Sequence, residues 1–220
     1  MASLNNLPIG TRLGAGFGVV ILGIAGVGAA AFLSLNSVKA EYDKLSENYL
    51  PKVLKVQEAQ DNTNTVARSI RNIAIFKDAK VQGEEIERIK QARAVNNEIF
   101  AKFEKEITSP RGKQLLKASE ETRKGYSDGL DRTLAAFAAG KDAEGKELLL
   151  NTLRPAQIEY QKSFENLGKF QLELMKEADQ EVDGAISLGK IEMGAVGLVA
   201  ALLGAFLGCC LLYTSPSPRD

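Results

Sequence analysis

The sequence predicts an all-α protein in which two transmembrane helices flank an antiparallel up-down-up-down four-helix bundle. Two observations lead to this fold class. Both ends of the 220-residue chain contain a long uncharged block, and the charged segment between them repeats its apolar residues at three- and four-residue steps. Such spacing is typical of amphipathic helices rather than strands.

Each uncharged block is long enough to cross a bilayer. Residues 13–35 contain only Gly, Ala, Val, Ile, Leu, Phe and one Ser, and residues 193–213 are equally free of charge. A helix rises about 1.5 Å per residue, so both segments reach across a hydrocarbon core of roughly 30 Å. The first block is also too long for the apolar part of a cleaved signal peptide, which has about 7 to 15 residues.

The positive groups next to the first span set the expected orientation. Arg12 and the amino terminus favour a cytoplasmic segment of residues 1–12. The central residues 36–192 then lie on the far side of the membrane, and the chain returns through residues 193–213. Residues 214–220 read Thr-Ser-Pro-Ser-Pro-Arg-Asp and are expected to be a short, non-native tail.

Three breaks divide the central segment into four helical stretches. Gly, Pro and polar residues interrupt the apolar period at residues 77–83, 108–112 and 140–145. Gly83 is expected to cap the first stretch, Pro51 to kink or restart it, and Pro155 to offset the first turns of the fourth. Four amphipathic helices joined by short breaks predict the bundle, and the narrow apolar stripes leave a face for a second copy of the chain.

Glycines recur four residues apart in both spans, and this spacing would let the membrane helices pack closely. The alternative is that membrane helices merely tolerate glycine. The residues concerned are Gly10, Gly14, Gly18, Gly204 and Gly208.

Composition excludes several classes of function. The chain has 28 basic and 28 acidic residues, and this balance argues against a nucleic-acid binder. It has no His, which removes His-based catalysis, His zinc sites and imidazole pH switches. Its two cysteines are adjacent in the second span, so the central segment has no disulfide. No pair of carboxylates resembles a catalytic acid and base, and we expect no enzyme activity, metal or cofactor.

Residues 140–147 have the spacing of a phosphate-binding loop. However, Glu147 stands where such a loop has a Ser or Thr that ligates magnesium, and a helix rather than a strand precedes the segment. The segment is therefore interpreted as a polar turn between helices.

The candidate ligand contacts lie on predicted helix faces. Asn64, Arg68 and Arg71 share one face of the first long helix, beside its core stripe. Two arginines on one face can hold a carboxylate through forked hydrogen bonds. The alternative is a solvated face whose arginines pair with acidic residues of a neighbouring helix.

Two further polar positions are ambiguous. Thr63 falls on the core stripe and predicts a polar layer that either specifies helix register or forms part of a binding site. Arg123 is a fourth candidate contact, and Tyr126, three residues later on the same helix, is expected in the core.

The residues Leu4-Asn5-Asn6-Leu7-Pro8-Ile9-Gly10-Thr11-Arg12-Leu13-Gly14-Ala15-Gly16-Phe17-Gly18 begin a Gly/Val/Ile-rich span. This opening resembles that of bacterial methyl-accepting chemotaxis receptors with a four-helix-bundle sensory domain. Leu50-Pro51-Lys52 and the Ala-Arg-Ser-Ile-Arg-Asn run of residues 67–72 also resemble that domain, and the resemblance covers residues 4–213.

The resemblance implies a homodimer in the bacterial inner membrane with a periplasmic sensory domain. Its ligand would be a small anion, anchored by Arg68 and Arg71, or a periplasmic binding protein. The signal would pass through the second span to a HAMP module, a methylated coiled coil, and a histidine kinase with its adaptor. The sequence up to residue 213 contains none of these parts, so the chain is expected to be truncated before its signalling region. The alternatives are the sensor half of a histidine kinase or diguanylate cyclase, and a membrane-anchored helical binding protein.

Overall fold

The computed structural model describes residues 8–213, and within them it confirms the predicted all-α class, with no strand. Residues 1–7 of the predicted cytoplasmic segment and the predicted tail of residues 214–220 lie outside the described residues. The described helices are α1 (Ile9–Asp43), α2 (Leu50–Ile75), α3 (Ala79–Glu106), α4 (Pro110–Ala138), α5 (Asp142–Leu148) and α6 (Arg154–Tyr213), with π-helical segments at Lys44–Tyr49 and Leu149–Leu153.

The chain divides into two compact units. One is Leu45–Glu177, hereafter the bundle unit, which lies inside the predicted central segment of residues 36–192. The other, the membrane unit, is formed by the chain on both sides of it. Helix α6 contributes residues to both units, since it runs without interruption from Arg154 to Tyr213.

Side-chain pairs in the bundle unit show that neighbouring helices run antiparallel, as predicted. In each pair of helices, the residue number rises along one helix as it falls along the other. The pairs are Asn62–Asn96 and Ser69–Glu85 for α2 and α3, Asn97–Arg123 and Arg93–Asp131 for α3 and α4, Thr122–Ser163 and Arg111–Glu173 for α4 and α6, and Asn64–Gln161 and Val56–Gly168 for α2 and α6.

The core of the bundle unit follows the alternating three- and four-residue spacing of a packed helical seam. On α2 the buried stripe is Val56, Ala59, Thr63, Val66, Ile70 and Ile73, and on α3 it is Ile89, Ala92, Asn96, Ile99 and Phe103. Leu130 of α4 and Leu167 of α6 are completely buried, and burial of each side chain stabilises the fold by about 2 kcal/mol. Thr63 and Asn96 therefore place polar groups inside an otherwise apolar seam.

The helix boundaries correct the prediction for Gly83. Helix α3 already begins at Ala79, because the Asp78 side chain caps it by accepting hydrogen bonds from Lys80 N at 2.9 Å and Val81 N at 3.0 Å. Gly83 is thus an exposed residue inside α3 and caps nothing. The break near residue 110 follows the prediction, with Ser109 as the N-cap and Pro110 opening α4.

The turn after α4 is shorter than predicted. Gly140 has φ of +72°, a left-handed conformation that favours glycine, and helix resumes at Asp142. Gly145 therefore lies inside α5 and packs against the Phe137 ring, so the polar segment of residues 140–147 is only partly a turn.

Two prolines, Pro51 and Pro155, each follow a π-helical segment. Pro51 is the second residue of α2, which begins directly after Lys44–Tyr49, and Pro155 is the second residue of α6, which begins directly after Leu149–Leu153. A proline lacks the N–H group and its ring crowds the carbonyl one turn earlier. A locally widened helix relieves that crowding, and this explains the restart predicted at Pro51 and the offset predicted at Pro155.

In the membrane unit, α1 and α6 are long and apolar enough to cross a membrane. They pack antiparallel through small residues: a Cβ added at Gly23 would lie 2.8 Å from Ala200 Cβ, and one added at Gly26 would lie 3.6 Å from Val196. The five glycines proposed from spacing have no such neighbour within the described residues. Within one chain, the close contacts therefore use other glycines than the five chosen from spacing, because the contact face depends on how the two helices cross.

Candidate ligand-binding site

Three of the four predicted contacts stay together on an exposed face of α2. Asn64, Arg68 and Arg71 are all exposed. The Asn64 side-chain oxygen accepts a hydrogen bond from Gln161 at 2.8 Å, and Arg68 donates to Thr65 at 3.0 Å. Neither Arg68 nor Arg71 forms an ion pair among the described residues, so the pairing with acidic neighbours that was the alternative reading is not observed there.

Arg123 lies elsewhere, in a cleft between α2, α3, α4 and α6 that we call the central cleft. The central cleft has a volume of about 60 Å³, which is enough for a few water molecules or a small ligand. The polar or aromatic side chains that line it are Thr63, Arg93, Asn96, Asn97, Arg123, Tyr126, Ser127 and Tyr160. Asn64, Arg68 and Arg71 do not contribute to this lining.

The first wall of the central cleft is a polar layer between α2 and α3. Asn96 donates from its amide nitrogen to the carbonyl of Ala59 at 3.2 Å, and its side-chain oxygen accepts from Asn62 at 2.9 Å. The Thr63 hydroxyl donates to the same Ala59 carbonyl at 2.8 Å. The polar layer predicted from Thr63 is therefore present, and its groups are satisfied within the protein.

The opposite wall is aromatic. The rings of Tyr126 and Tyr160 stack with centroids 5.4 Å apart, and Phe100 lies 6.4 Å from Tyr160. The Arg123 guanidinium lies over the Phe100 ring at 4.4 Å from its centroid and donates to the Asn97 side-chain oxygen. These contacts fix the position of the guanidinium group without neutralising its charge.

The two arginines of the central cleft differ in electrostatic environment. Arg93 forms a two-point ion pair with Asp131, in which Nη2 lies 3.2 Å from Oδ2. Arg123 forms no ion pair among the described residues. It acts to lower the pKa of Glu120, but burial of Glu120 and the nearby Glu104 outweigh it and raise that pKa overall. Arg123 is thus a cleft cation without a salt-bridge partner among the described residues, although Glu120 lies within its electrostatic reach.

Both cleft tyrosines are neutral hydroxyls at physiological pH. Burial raises the pKa of Tyr160 to about 12 and raises the pKa of Tyr126 further. The Tyr126 side chain is only 6 % exposed, and its hydroxyl has no hydrogen-bond partner among the described residues. A buried donor without a partner is uncommon in folded proteins, so Tyr126 is an unusual position in this core.

The sequence analysis singled out Thr63, Arg123 and Tyr126 but missed Arg93, Asn96, Asn97 and Ser127, which also line the central cleft. Asn96 and Arg123 occupy core positions of the three- and four-residue stripes, between Ala92 and Ile99 on α3 and between Ser119 and Tyr126 on α4. A polar or charged residue at a stripe position was the available signal. Arg93, Asn97 and Ser127 lie beside the stripe, so their positions gave no such signal.

The part of the chain that the structure describes contains no cluster of metal-binding side chains. Within residues 8–213 no group of three or more His, Cys, Asp or Glu side chains could hold a metal ion. The arrangement in the central cleft instead presents hydrogen-bond donors and one positive charge.

The comparison with protein families agrees with this architecture. A family described as a four-helix bundle sensory module for signal transduction matches residues 6–184. The match covers most of the chain, and the chain belongs to this family. No match was found among curated proteins. The bundle unit is therefore a sensory module of signal transduction, which agrees with the resemblance noted at the amino terminus.

Proposed function

We propose that the chain is the sensory and membrane-spanning part of a bacterial methyl-accepting chemotaxis receptor. Helices α1 and α6 cross the inner membrane, and the bundle unit lies in the periplasm, where it senses a small anion or a periplasmic binding protein. The receptor acts as a homodimer, and its signal reaches a cytoplasmic histidine kinase and adaptor.

The observation that carries this proposal is the continuity of α6. Tyr160 and Phe164 are core residues of the bundle unit, and the apolar residues 193–213 belong to the same unbroken helix. A small sliding or rotation of α6 at the core would therefore move its apolar segment. A ligand produces such a shift only if it binds two packings of the bundle with unequal affinity.

Arg68 and Arg71 are the proposed anchors for an anionic ligand on the bundle surface, with Asn64 beside them. Their exposure leaves the guanidinium groups accessible, and the described residues offer them no carboxylate. A planar guanidinium donates two parallel hydrogen bonds to a carboxylate, so two arginines one turn apart suit such a ligand.

The proposal is tested in a hybrid in which residues 1–213 are joined to the cytoplasmic region of a chemotaxis receptor. Kinase activity in membrane vesicles is measured against a panel of small organic acids and amino acids. The variant Ser187→Gly/Leu188→Gly weakens α6 next to Gly184 and Gly189, because each glycine costs about 1 kcal/mol of helix stability relative to alanine. We expect it to bind the active compound normally but to lose the kinase response.

The matched control is Ser187→Ala/Leu188→Ala, which removes the same side chains and keeps the helix. Both residues are exposed, so neither variant removes a buried contact. Equal responses from the glycine and alanine variants would contradict transmission through α6. If no compound changes kinase activity in the unsubstituted hybrid, the chain is better described as a membrane-anchored helical binding protein.

A further inference from the structure

The central cleft has the features of a binding site that is separate from the exposed arginine surface of α2. It is lined by all four long helices of the bundle unit and lies beside the most aromatic part of the core. Its polar layer on α2 and α3 is internally satisfied, whereas the α4 side is not. Any ligand must therefore be held mainly by the α4 side chains.

Tyr126 supplies an unused hydrogen-bond donor on this side. Its hydroxyl is buried and has no partner among the described residues, although Tyr126 lines the central cleft. A hydroxyl that is buried without a hydrogen-bond partner destabilises the fold. A bound molecule that accepts a hydrogen bond from Tyr126 would remove this cost and so bind more tightly.

Arg123 supplies a positive charge without a salt-bridge partner one helical turn before Tyr126. Its direct contacts are with the Asn97 amide oxygen and the face of Phe100, neither of which carries a net charge, and the Glu120 carboxylate acts on it only electrostatically. Arg93, the other arginine of the cleft, is already paired with Asp131. The cleft thus offers one guanidinium and one phenol for a ligand with a single negative charge.

We propose that the central cleft binds a small monocarboxylate, which accepts hydrogen bonds from the Tyr126 hydroxyl and the Arg123 guanidinium. The volume of about 60 Å³ limits the part of a ligand inside the cleft to a few heavy atoms, so acetate, propionate and butyrate are suitable probes. Because Tyr160 of α6 stacks on Tyr126, a ligand in the cleft also acts on the packing of α6. The site goes beyond the function proposed above, and its occupancy does not depend on signalling.

Binding is measured on the purified full chain in lipid nanodiscs by calorimetric titration with sodium acetate, propionate and butyrate, with sodium chloride as the reference salt. The chain has no Trp and five Tyr, so tyrosine fluorescence gives a second readout that includes both cleft tyrosines. We expect saturable binding of at least one of the three acids. A failure of all three to bind would overturn the proposal.

Two substitutions locate the site. Tyr126→Phe and Arg123→Gln are each expected to weaken binding at least about tenfold, the usual effect of one lost hydrogen bond to a charged group. Tyr42→Phe is the matched control, because it removes the hydroxyl of an exposed tyrosine. Arg111→Gln is the second control, because Arg111 is also on α4 with its guanidinium over a phenylalanine ring, Phe170, at 5.0 Å.

Thermal unfolding separates a binding role from a structural one. Since the Tyr126 hydroxyl has no partner in the described part of the chain, Tyr126→Phe is expected to leave the melting temperature unchanged or to raise it. Unchanged acid binding in Tyr126→Phe, together with a lower melting temperature, would show that a fixed water satisfies the hydroxyl and would overturn the proposal. Binding in nanodiscs without a kinase response in the hybrid would leave this site intact and count only against the proposed function.

Discussion

Glu85 of α3 is a buried carboxylate whose removal gives a measurable test of the packing between α2 and α3. Its side chain accepts hydrogen bonds from the Ser69 hydroxyl at 2.6 Å, from Asn72 at 2.9 Å and from Arg88 at 3.1 Å. These donors, Ser69 first, hold the pKa of Glu85 below its usual value of 4.5. The substitution Glu85→Gln keeps the size of the side chain and one acceptor oxygen but turns an NH₂ group toward one of the donors.

The size of the effect follows from these contacts. One donor is left without an acceptor, at about 1–3 kcal/mol, and the two remaining hydrogen bonds lose their charged acceptor. We expect the free energy of unfolding to fall by about 2 kcal/mol, and the melting temperature by about 8 °C for a unit of this size. Glu84→Gln is the matched control, because Glu84 is the exposed neighbour and its substitution should change stability by less than about 0.5 kcal/mol.

The assay is thermal unfolding of the full chain, followed by circular dichroism at several pH values. Because the folded-state pKa of Glu85 is lowered, its stabilisation is complete above the unfolded-state pKa and is lost as pH falls through the folded-state value. The gap between the original protein and Glu85→Gln should therefore narrow in acid below about pH 4.5. Equal melting temperatures for Glu85→Gln and Glu84→Gln at neutral pH would refute this account of the carboxylate.

Two further predictions concern core packing, and urea unfolding of the full chain checks both. Leu130→Ala should lower the free energy of unfolding by about 2–5 kcal/mol, since Leu130 is completely buried, whereas the half-buried Leu134→Ala should lose less. Gly145→Ala should destabilise by about 1–3 kcal/mol, because its Cβ would stand 2.6–2.9 Å from the Phe137 ring. Gly125→Ala faces open space on α4 and should stabilise by up to about 1 kcal/mol. Equal effects at the two glycines would mean that the Phe137 ring moves aside freely.

The apolar period of the chain was sufficient to predict most of the fold. A stripe at three- and four-residue steps can be buried only on one side of a helix, so the stripe from Val56 to Ile73 identified both α2 and its buried face. Helix ends were harder to predict where several residues compete to cap. Asp78 begins α3 ahead of Gly83, because a carboxylate that binds two free backbone N–H groups stabilises a start that glycine does not.

In the candidate sites, too, the groupings within one helix could be predicted from the sequence, whereas the groupings between helices could not. Asn64, Arg68 and Arg71 are one turn apart on a single helix, so their common face could be read from numbering alone. The neighbours of Arg123 in the central cleft come from three other helices, and Tyr160 is far from it in sequence. No periodicity within one helix indicates which residue of another helix will lie opposite.

The sequence by itself determined the helical class, the two apolar spans, the order of the helices and the inward face of each, because these depend on spacing within one segment. Only the tertiary structure decided that Gly23, Gly26 and Gly189 are the glycines at which α1 and α6 contact each other, and that the Tyr126 hydroxyl has no partner among the described residues. Both features depend on the register between helices, which the packing of whole side chains sets to a fraction of a turn.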